Sequence, residues 1–398
     1  MSWPMVELKK LILKVDKWNP VKDGGDEQIT YIDLSSVDKD SKAIKNEDVQ
    51  KVQANLAPSR ARQLVDSADI LVATVRPNLN GVAIVSSDYQ GATASTGYCV
   101  LRPNNKLLDS KYLFYWVQTE SFISDMMAKA TGANYPAVSD KIVKESQIPL
   151  PPLEEQKRIA AILDKADAIR QKRKQAIALA DEFLRSVFLD MFGDPVNNPK
   201  GWPLGSMADF GGFKNGLNYS RDEYGVELSY IGVGDFKSHS KLERIDNLSK
   251  IQLNENPDDG YLLKDNDILF VRSNGNKALV GRCLTVHPGE HKVTFSGFCI
   301  RYRIQKAEEL NPTFLNYCMR MPSMKNAMLK GGQGANIQNI NQKTLTGLSL
   351  PIPPIDLQKD FDSLVRRYQV FIERALDGAN NDTALFSSLS QKAFSGQL

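Results

Sequence analysis

Ile148-Pro149-Leu150-Pro151-Pro152-Leu153-Glu154-Glu155-Gln156 is the stretch on which the reading of this chain turns. Beyond its prolines, Glu154 to Phe192 runs without a single Pro or Gly. Such a run predicts a helix, which at the ~1.5 Å rise per residue would be about 60 Å long. The stretch is then written again as Leu350-Pro351-Ile352-Pro353-Pro354-Ile355-Asp356-Leu357-Gln358, 202 residues later. The second copy replaces the two glutamates and keeps the prolines and the glutamine.

Working outward, further pairs fall into line. Trp3-Pro4 recurs as Trp202-Pro203 and Tyr31-Ile32 as Tyr230-Ile231. Ala68-Asp69-Ile70-Leu71 matches Asn266-Asp267-Ile268-Leu269, and Gly97-Tyr98-Cys99-Val100 matches Gly297-Phe298-Cys299-Ile300. Gly132-Ala133-Asn134 matches Gly334-Ala335-Asn336. Offsets between 198 and 202 over so many collinear matches predict a tandem duplication of a whole structural unit.

Each copy has a mixed first part and a helical second part. Asp69 to Val75 and Asp267 to Val271 read as strands, bounded by Gly, Asn and Pro. Leu113, Trp116 and Val117, and likewise Phe314, Leu315, Cys318 and Met319, have the spacing of a buried helix face. Ser110 suits an N-cap for the first of these helices and Pro312 the first turn of the second. In the long helix, Ile159, Ile162, Ala166, Ile169, Arg173, Ala176, Ala180, Phe183 and Val187 step by three and four, a coiled-coil seam with one polar intrusion. Leu357, Phe361, Leu364, Tyr368, Phe371 and Ala375 keep that rhythm in the second copy, up to an expected break around Asp377-Gly378-Ala379-Asn380-Asn381-Asp382. Two such stripes in one chain are expected to pack on each other. The pattern leaves their direction open; an antiparallel pair would relate the two copies by a pseudo-twofold axis.

The composition sets outer limits. The chain has 398 residues, 42% hydrophobic and 24% charged, which is globular and long enough for more than one core. No stretch approaches the ~18 apolar residues of a membrane span. Glu7, Lys9, Lys10 and Lys14 interrupt the N-terminal apolar run that a signal peptide needs. Cys99, Cys283, Cys299 and Cys318 form no CxxC pair, so no zinc site or disulfide framework is implied. A soluble cytoplasmic protein, away from membranes, is the expectation. With 50 basic and 47 acidic side chains the net charge is only +3, which neither demands nor forbids a nucleic-acid partner.

Two similar modules on a stiff helical spacer would present paired surfaces at a fixed interval, as readers of two DNA half-sites do. The junction motif, leading into Ile159-Ala160-Ala161-Ile162-Leu163-Asp164, resembles that of the specificity (S) subunit of type I restriction–modification systems, and the resemblance covers essentially the full chain. It implies a mixed α/β (α+β) fold with two target recognition domains, at 1–152 and 194–354. An antiparallel coiled coil would be formed by spacer helices at 153–193 and 355–398. It also implies a non-catalytic subunit that reads a bipartite, asymmetric site in double-stranded DNA. Its partners would be two modification subunits, which methylate adenine with S-adenosylmethionine, and restriction/translocase subunits, which use ATP and magnesium.

The residues agree that the chemistry lies elsewhere. The chain has no GxxxxGK[ST] phosphate loop, and Asn256-Pro257-Asp258 matches the Asn-Pro-Pro-Tyr segment of amino-methyltransferases only in part. Pro288-Gly289 denies His287 and His291 a common helix face for a metal. Asp209-Phe210-Gly211-Gly212 lacks the other kinase motifs and reads as a loop. No cofactor and no metal is expected in this chain.

Base reading needs Arg or Lys for guanine and Asn or Gln for adenine. In the first copy Arg76, Asn78 and Asn80 follow the Asp-Ile-Leu strand, and Asn134 and Tyr135 precede the junction. In the second, the corresponding groups are Arg272, Ser273, Asn274, Asn276 and Lys277, then Asn336, Gln338, Asn339, Asn341, Gln342 and Lys343. The competing reading is that Asn, Ser and Gly simply form turns. Lys214, Arg221, Arg282, Arg301 and Arg303 are available as phosphate contacts or as solvated surface. Arg170, Lys172, Arg173 and Lys174 form a basic cluster on the first long helix. Two rival functions stand beside the DNA reader: a coiled-coil protein–protein scaffold with paired modules, and a stand-alone DNA enzyme, which the missing motifs disfavour.

Overall fold

Short β-branched runs separated by Gly, Pro and Asn form small twisted sheets, and a computed structural model shows how they are stacked. It describes every residue except Met1, Ser2, Ala133, Arg221, 238–240, 243, 244, 246, 247 and 331–338. The chain divides into two compact units, Met1–Gln175 with Ala375–Leu398, and Ala176–Arg374. In the first unit one antiparallel sheet is ordered Ile12–Leu13, Tyr98–Pro103, Ile70–Ala73, Val82–Ile84. A second is ordered Gln50–Gln53, Gln28–Ile32, Thr93–Ser95, Ala61–Leu64, with one parallel pair. Met5–Glu7 pairs with Gln147–Pro149, which ties the start of the unit to the junction.

The second unit repeats this order. Gly211–Asn215, Cys299–Ile304, Asp267–Val271 and Cys283–Val286 are neighbours in one sheet, to which Lys241–Leu242 is added. Ser249–Leu253, Val226–Ile231 and Val293–Phe295 form the other, again with one parallel pair, and Leu204–Ser206 lies against Ser349–Pro351. The duplication seen in the sequence is therefore a duplication of sheet order. Register adds a refinement. Tyr98 faces Ala73 in the first unit, whereas Cys299 faces Val271 in the second. The ladder thus matches Gly97 to Phe298, one residue away from the match that the letters suggest.

Buried polar contacts fasten helix to sheet in the same way twice. Gln156 accepts from the Asp109 amide (2.9 Å) and donates to the carbonyls of Leu107 (3.0 Å) and Pro151 (2.9 Å). Gln358 accepts from the Asn311 amide (2.9 Å) and donates to Glu309 (3.0 Å) and Pro353 (2.8 Å). Asp109 and Asn311 are in turn the N-caps of the helices Ser110–Trp116 and Pro312–Arg320. Ser110 is thus the first helical residue and not the cap; the Asp109 carboxylate beside it accepts from two amides.

The two long helices are Leu153–Phe192 and Ile355–Ser395. Each gives one segment to each unit, and within each unit the segments run antiparallel. In the first, Arg158 donates to the Leu398 carbonyl (2.9 Å) and Arg173 pairs with Asp382 (2.8 Å). In the second, Phe183 stacks on Tyr368 (4.9 Å between centroids) and Phe188 meets Phe361 edge-on (5.5 Å). Among the described residues no helix is long and apolar enough to cross a membrane.

Two expectations about these helices are corrected. The second helix is continuous through Gly378. A Cβ at that glycine would overlap the Arg173 guanidinium, so the residue makes room for a crossing side chain and does not break the helix. The seam also differs in phase from the three–four pattern. Ile159 and Phe361 are buried, and Ile162, Ala166, Leu357, Leu364 and Tyr368 are half-buried, but Ile169 and Phe371 are each 54% exposed. Near Ile169 the inward places belong to arginines: Arg170 lies over the Phe386 ring (4.5 Å) and pairs with Asp167, while Arg173 reaches Asp382. Further on, Ala180, Leu184, Phe188 and Phe192 are buried at intervals of four, because this face meets the globular core as well as the other helix.

That phase is testable. Phe361 touches Phe188, Phe192 and Tyr317. Phe361→Ala should lower unfolding stability by about 3–5 kcal/mol, as for a buried aromatic. Phe371→Ala should stay within about 0.5 kcal/mol of the parent. Urea denaturation of both variants checks the contrast, and equal losses would restore the heptad phase.

Candidate nucleic-acid interface

The strand Ile70–Ala73 ends at Thr74, whose amide and hydroxyl both donate to the Gly97 carbonyl (2.9 Å each). Val75 then bridges Ala137, and the Arg76 amide donates to the Pro136 carbonyl (2.6 Å). This brings the two candidate regions of the first unit together although they lie far apart in sequence. The Arg76 guanidinium sits 4.4 Å above the centre of the Tyr135 ring, a cation–π pair. Both side chains are exposed, Tyr135 at 66%, and Asn78 and Asn134 are exposed beside them.

The loop itself is held under backbone strain. Arg76 (φ +51°) and Asn80 (φ +46°) are left-handed at either end of the short turn Pro77–Leu79. Asparagine tolerates this conformation; arginine costs about 1–2 kcal/mol there. Asn80 is half-buried, and its amide donates weakly to the Gln118 carbonyl (3.4 Å). Its backbone carbonyl accepts from Nζ of Lys42 (2.5 Å).

The second unit makes the same junction with different residues. The Arg272 amide donates to the Phe298 carbonyl (2.8 Å), and the Arg272 carbonyl accepts from Ile340 (2.9 Å). Ser273 bridges Asn339. Arg272, Asn276, Lys277, Asn339 and Lys343 are exposed. Asn274 and Asn276 use their side-chain oxygens in local turns, accepting from the amides of Asn276 (2.8 Å) and Ala278 (3.0 Å), as the turn-former reading expects. Gln342 donates to the Asn215 side chain (3.2 Å) and Asn341 caps the helix Gln342–Thr346. Asn336 and Gln338, like Arg221, lie outside the described residues.

Several candidate phosphate contacts are framework instead. Arg303 grips Asp267 with two hydrogen bonds (2.7 and 2.6 Å), and Arg102 grips Asp69 in the same way (2.9 and 2.8 Å) in the first unit. Arg301 is buried and donates to the Gly260 carbonyl (2.9 Å), and burial pushes its guanidinium below the ordinary arginine range. Arg282 donates to the Phe236 carbonyl (3.1 Å). Lys214 lies 3.9 Å from the centre of the Tyr261 ring. Among the described residues no three His, Cys, Asp or Glu side chains gather as a metal ion would require.

Known proteins place this architecture. The sequence profile of the type I restriction modification DNA specificity domain matches residues 39–179 and again 199–365. The chain therefore belongs to the type I restriction–modification specificity family. The StySPI specificity subunit of Salmonella potsdam is 26% identical over 323 residues, 75% of this chain and 67% of that one. The EcoKI specificity subunit of Escherichia coli K12 is 24% identical over 357 residues, 84% of this chain and 76% of that one. In fold the chain is similar to the type I S subunit of M. genitalium, with TM-score 0.54, 15% identity and coverage of 99% and 96% of the two chains. A chain solved in a study of type I complex assembly and conformational transition gives TM-score 0.55 at 22% identity, covering 100% and 98%.

Lys42 belongs to the first site although no sequence signal marks it. It sits at φ +56° after the hairpin strand Val37–Asp38, and only folding carries its amine to Asn80. Burial of that amine, partly offset by Asp40 and reinforced by Arg170, lowers its pKa from 10.5 to about 8. The charge-assisted bond to the loop is therefore present at neutral pH and weakens as pH rises through 8. Lys42→Met should speed hydrogen exchange at the Leu79 and Asn80 amides by about tenfold or more, because it removes a charge-assisted bond worth about 1.5–3 kcal/mol. The parent should show a smaller loss at pH 9, about fivefold for the ~1 kcal/mol between charge-assisted and neutral hydrogen bonds, after correction for intrinsic rates, and Lys42→Arg should not. NMR-detected exchange decides it.

Proposed function

We propose that this chain is the non-catalytic DNA-reading subunit of a type I restriction–modification complex, with one half of a bipartite, asymmetric site read by each unit. One observation carries the reading. In both units the loop after the Asp-Ile-Leu strand is joined to the segment before the Pro-Pro junction, and each joint presents an exposed arginine, Arg76 or Arg272. Arginine is the side chain best suited to the paired acceptors of guanine in the major groove. Asn78 and Asn134 in the first unit, and Asn339 in the second, supply the amides that suit adenine.

The halves differ because the joints differ. The first turns tightly through Pro77–Leu79, while the second runs on through Asn274, Asn276 and Lys277. Segments 1–152 and 194–354 are the target recognition domains on this reading, and the helices at 153–193 and 355–398 span the unread gap. The partners are double-stranded DNA, two modification subunits and restriction/translocase subunits. S-adenosylmethionine, ATP and magnesium belong to those partners. Leu179, Phe183, Val370 and Phe371, exposed on the helix segments of the second unit, suit a surface that another subunit covers.

The test is to co-express the chain with its genomically adjacent modification subunit and sequence the methylated adenines. Arg76→Ala and Arg272→Ala should each cost about 1–3 kcal/mol at one base pair and relax the motif there. The relaxed positions should fall in opposite halves. Relaxation in the same half, or no defined motif at all, overturns the reading. Retention on DNA regardless of sequence would favour the scaffold.

A further inference from the structure

The register refinement places an unusual pair at the edge of the second unit. Where the first unit sets buried Thr74 against Gly97, the second sets Arg272 against Phe298, one step beyond the Val271–Cys299 pair. Residues directly opposite on antiparallel strands project from the same face. Arg272 is exposed, and Phe298 is 61% exposed although it follows a buried strand end. The backbone that carries the ring is firmly held. The Phe298 amide donates to the Ser296 hydroxyl (3.1 Å), its carbonyl accepts from Arg272, and Gly297 before it donates to the Leu217 carbonyl (2.7 Å). A Cβ at Gly297 would overlap the Asn218 side chain, so the backbone is pinned close against a neighbouring loop. By contrast Tyr98, its match by letter, is buried and donates its hydroxyl to the Asp33 carbonyl (2.9 Å). A water-facing phenyl on a pinned backbone, carried by the residue opposite an exposed arginine, has no role in the core.

We propose that Phe298 is a specificity-determining residue that packs on the C5-methyl of a thymine next to the base pair read by Arg272. In the major groove the thymine methyl is the one apolar feature of the base edges, and a phenyl ring is a side chain that contacts it. This rests on the DNA-reading function above and extends it from hydrogen-bonded to apolar reading.

The experiment uses the assembled complex with its modification subunits and duplexes bearing the methylated motif. Each thymine of the half relaxed by Arg272→Ala is replaced in turn by deoxyuridine, which lacks only the methyl. The parent should lose about fourfold in methylation rate at one position, the value of a single buried methyl group. Phe298→Ala should methylate the thymine and deoxyuridine duplexes equally, and Phe298→Leu should keep most of the difference. A parent indifferent at every thymine overturns the inference, as does a half without thymine, a Phe298→Ala complex that still distinguishes the two, or one that fails to assemble. If a defined motif emerges and only the deoxyuridine response is missing, the DNA-reading function stands and this inference alone falls. If no motif emerges, both fall.

Discussion

A helix of this length satisfies its own backbone but cannot cover its own apolar stripe, and everything else in the fold follows from what covers it. Here the cover is the other long helix, running the opposite way, together with the helical layer of a globular unit. Phe188 shows both contacts at once, packing on Phe361 of the second helix and on Phe314 of the short helix Pro312–Arg320. Covalent order and core membership therefore part company. The first unit needs Phe386, Ala393 and Phe394 from the far end of the chain to complete its core. The divisions at 152 and 354 mark where strands give way to helix; the compact units divide at 175 and 374 instead.

The junction motif is conspicuous in the sequence because it has a second job besides ending a strand. Gln156 and Gln358 each satisfy two backbone carbonyls and one backbone amide in a place closed to water, where an unpaired group would cost about 1–3 kcal/mol. No other side chain offers one acceptor and two donors at that length. The glutamine is thus legible as a constant offset, while its purpose is not, since every partner is a backbone atom whose position depends on the fold. The same holds for Asp69 with Arg102 and Asp267 with Arg303. The acids are visible in the repeat, but pairing them with these arginines requires the ladder register.

What escaped the sequence did so for identifiable reasons. Gly378 in a polar stretch looks like a helix break, because intrinsic propensity is all that a single strand of letters displays. Its actual requirement is room for Arg173, a residue some two hundred positions earlier. A helix with a single helical neighbour shows alternating steps of three and four. A stripe shared between a helix and a core widens and drifts, leaving Ile169 and Phe371 outside while the stems of Arg170 and Arg173 take inward places.

The candidate reading residues are the least legible part, and the two units together show why. Their sheets agree in order and their framework ion pairs agree in position, so the common frame constrains the core and leaves the edge free. At that edge a one-residue displacement between letter match and ladder match decides whether an aromatic is buried with its hydroxyl bonded, as Tyr98 is, or faces water, as Phe298 does. Both faces of this strand are buried from Tyr98 in one unit and from Cys299 in the other, so the slip matters where the strand ends and the residue before it reaches the rim. The difference costs the core little, because Cys299 fills the ladder place that Tyr98 holds in the first unit and is equally buried. A frame that tolerates such slips at its rim can acquire a new exposed surface without a new fold, which is the property that two divergent copies of one module need in order to present different faces.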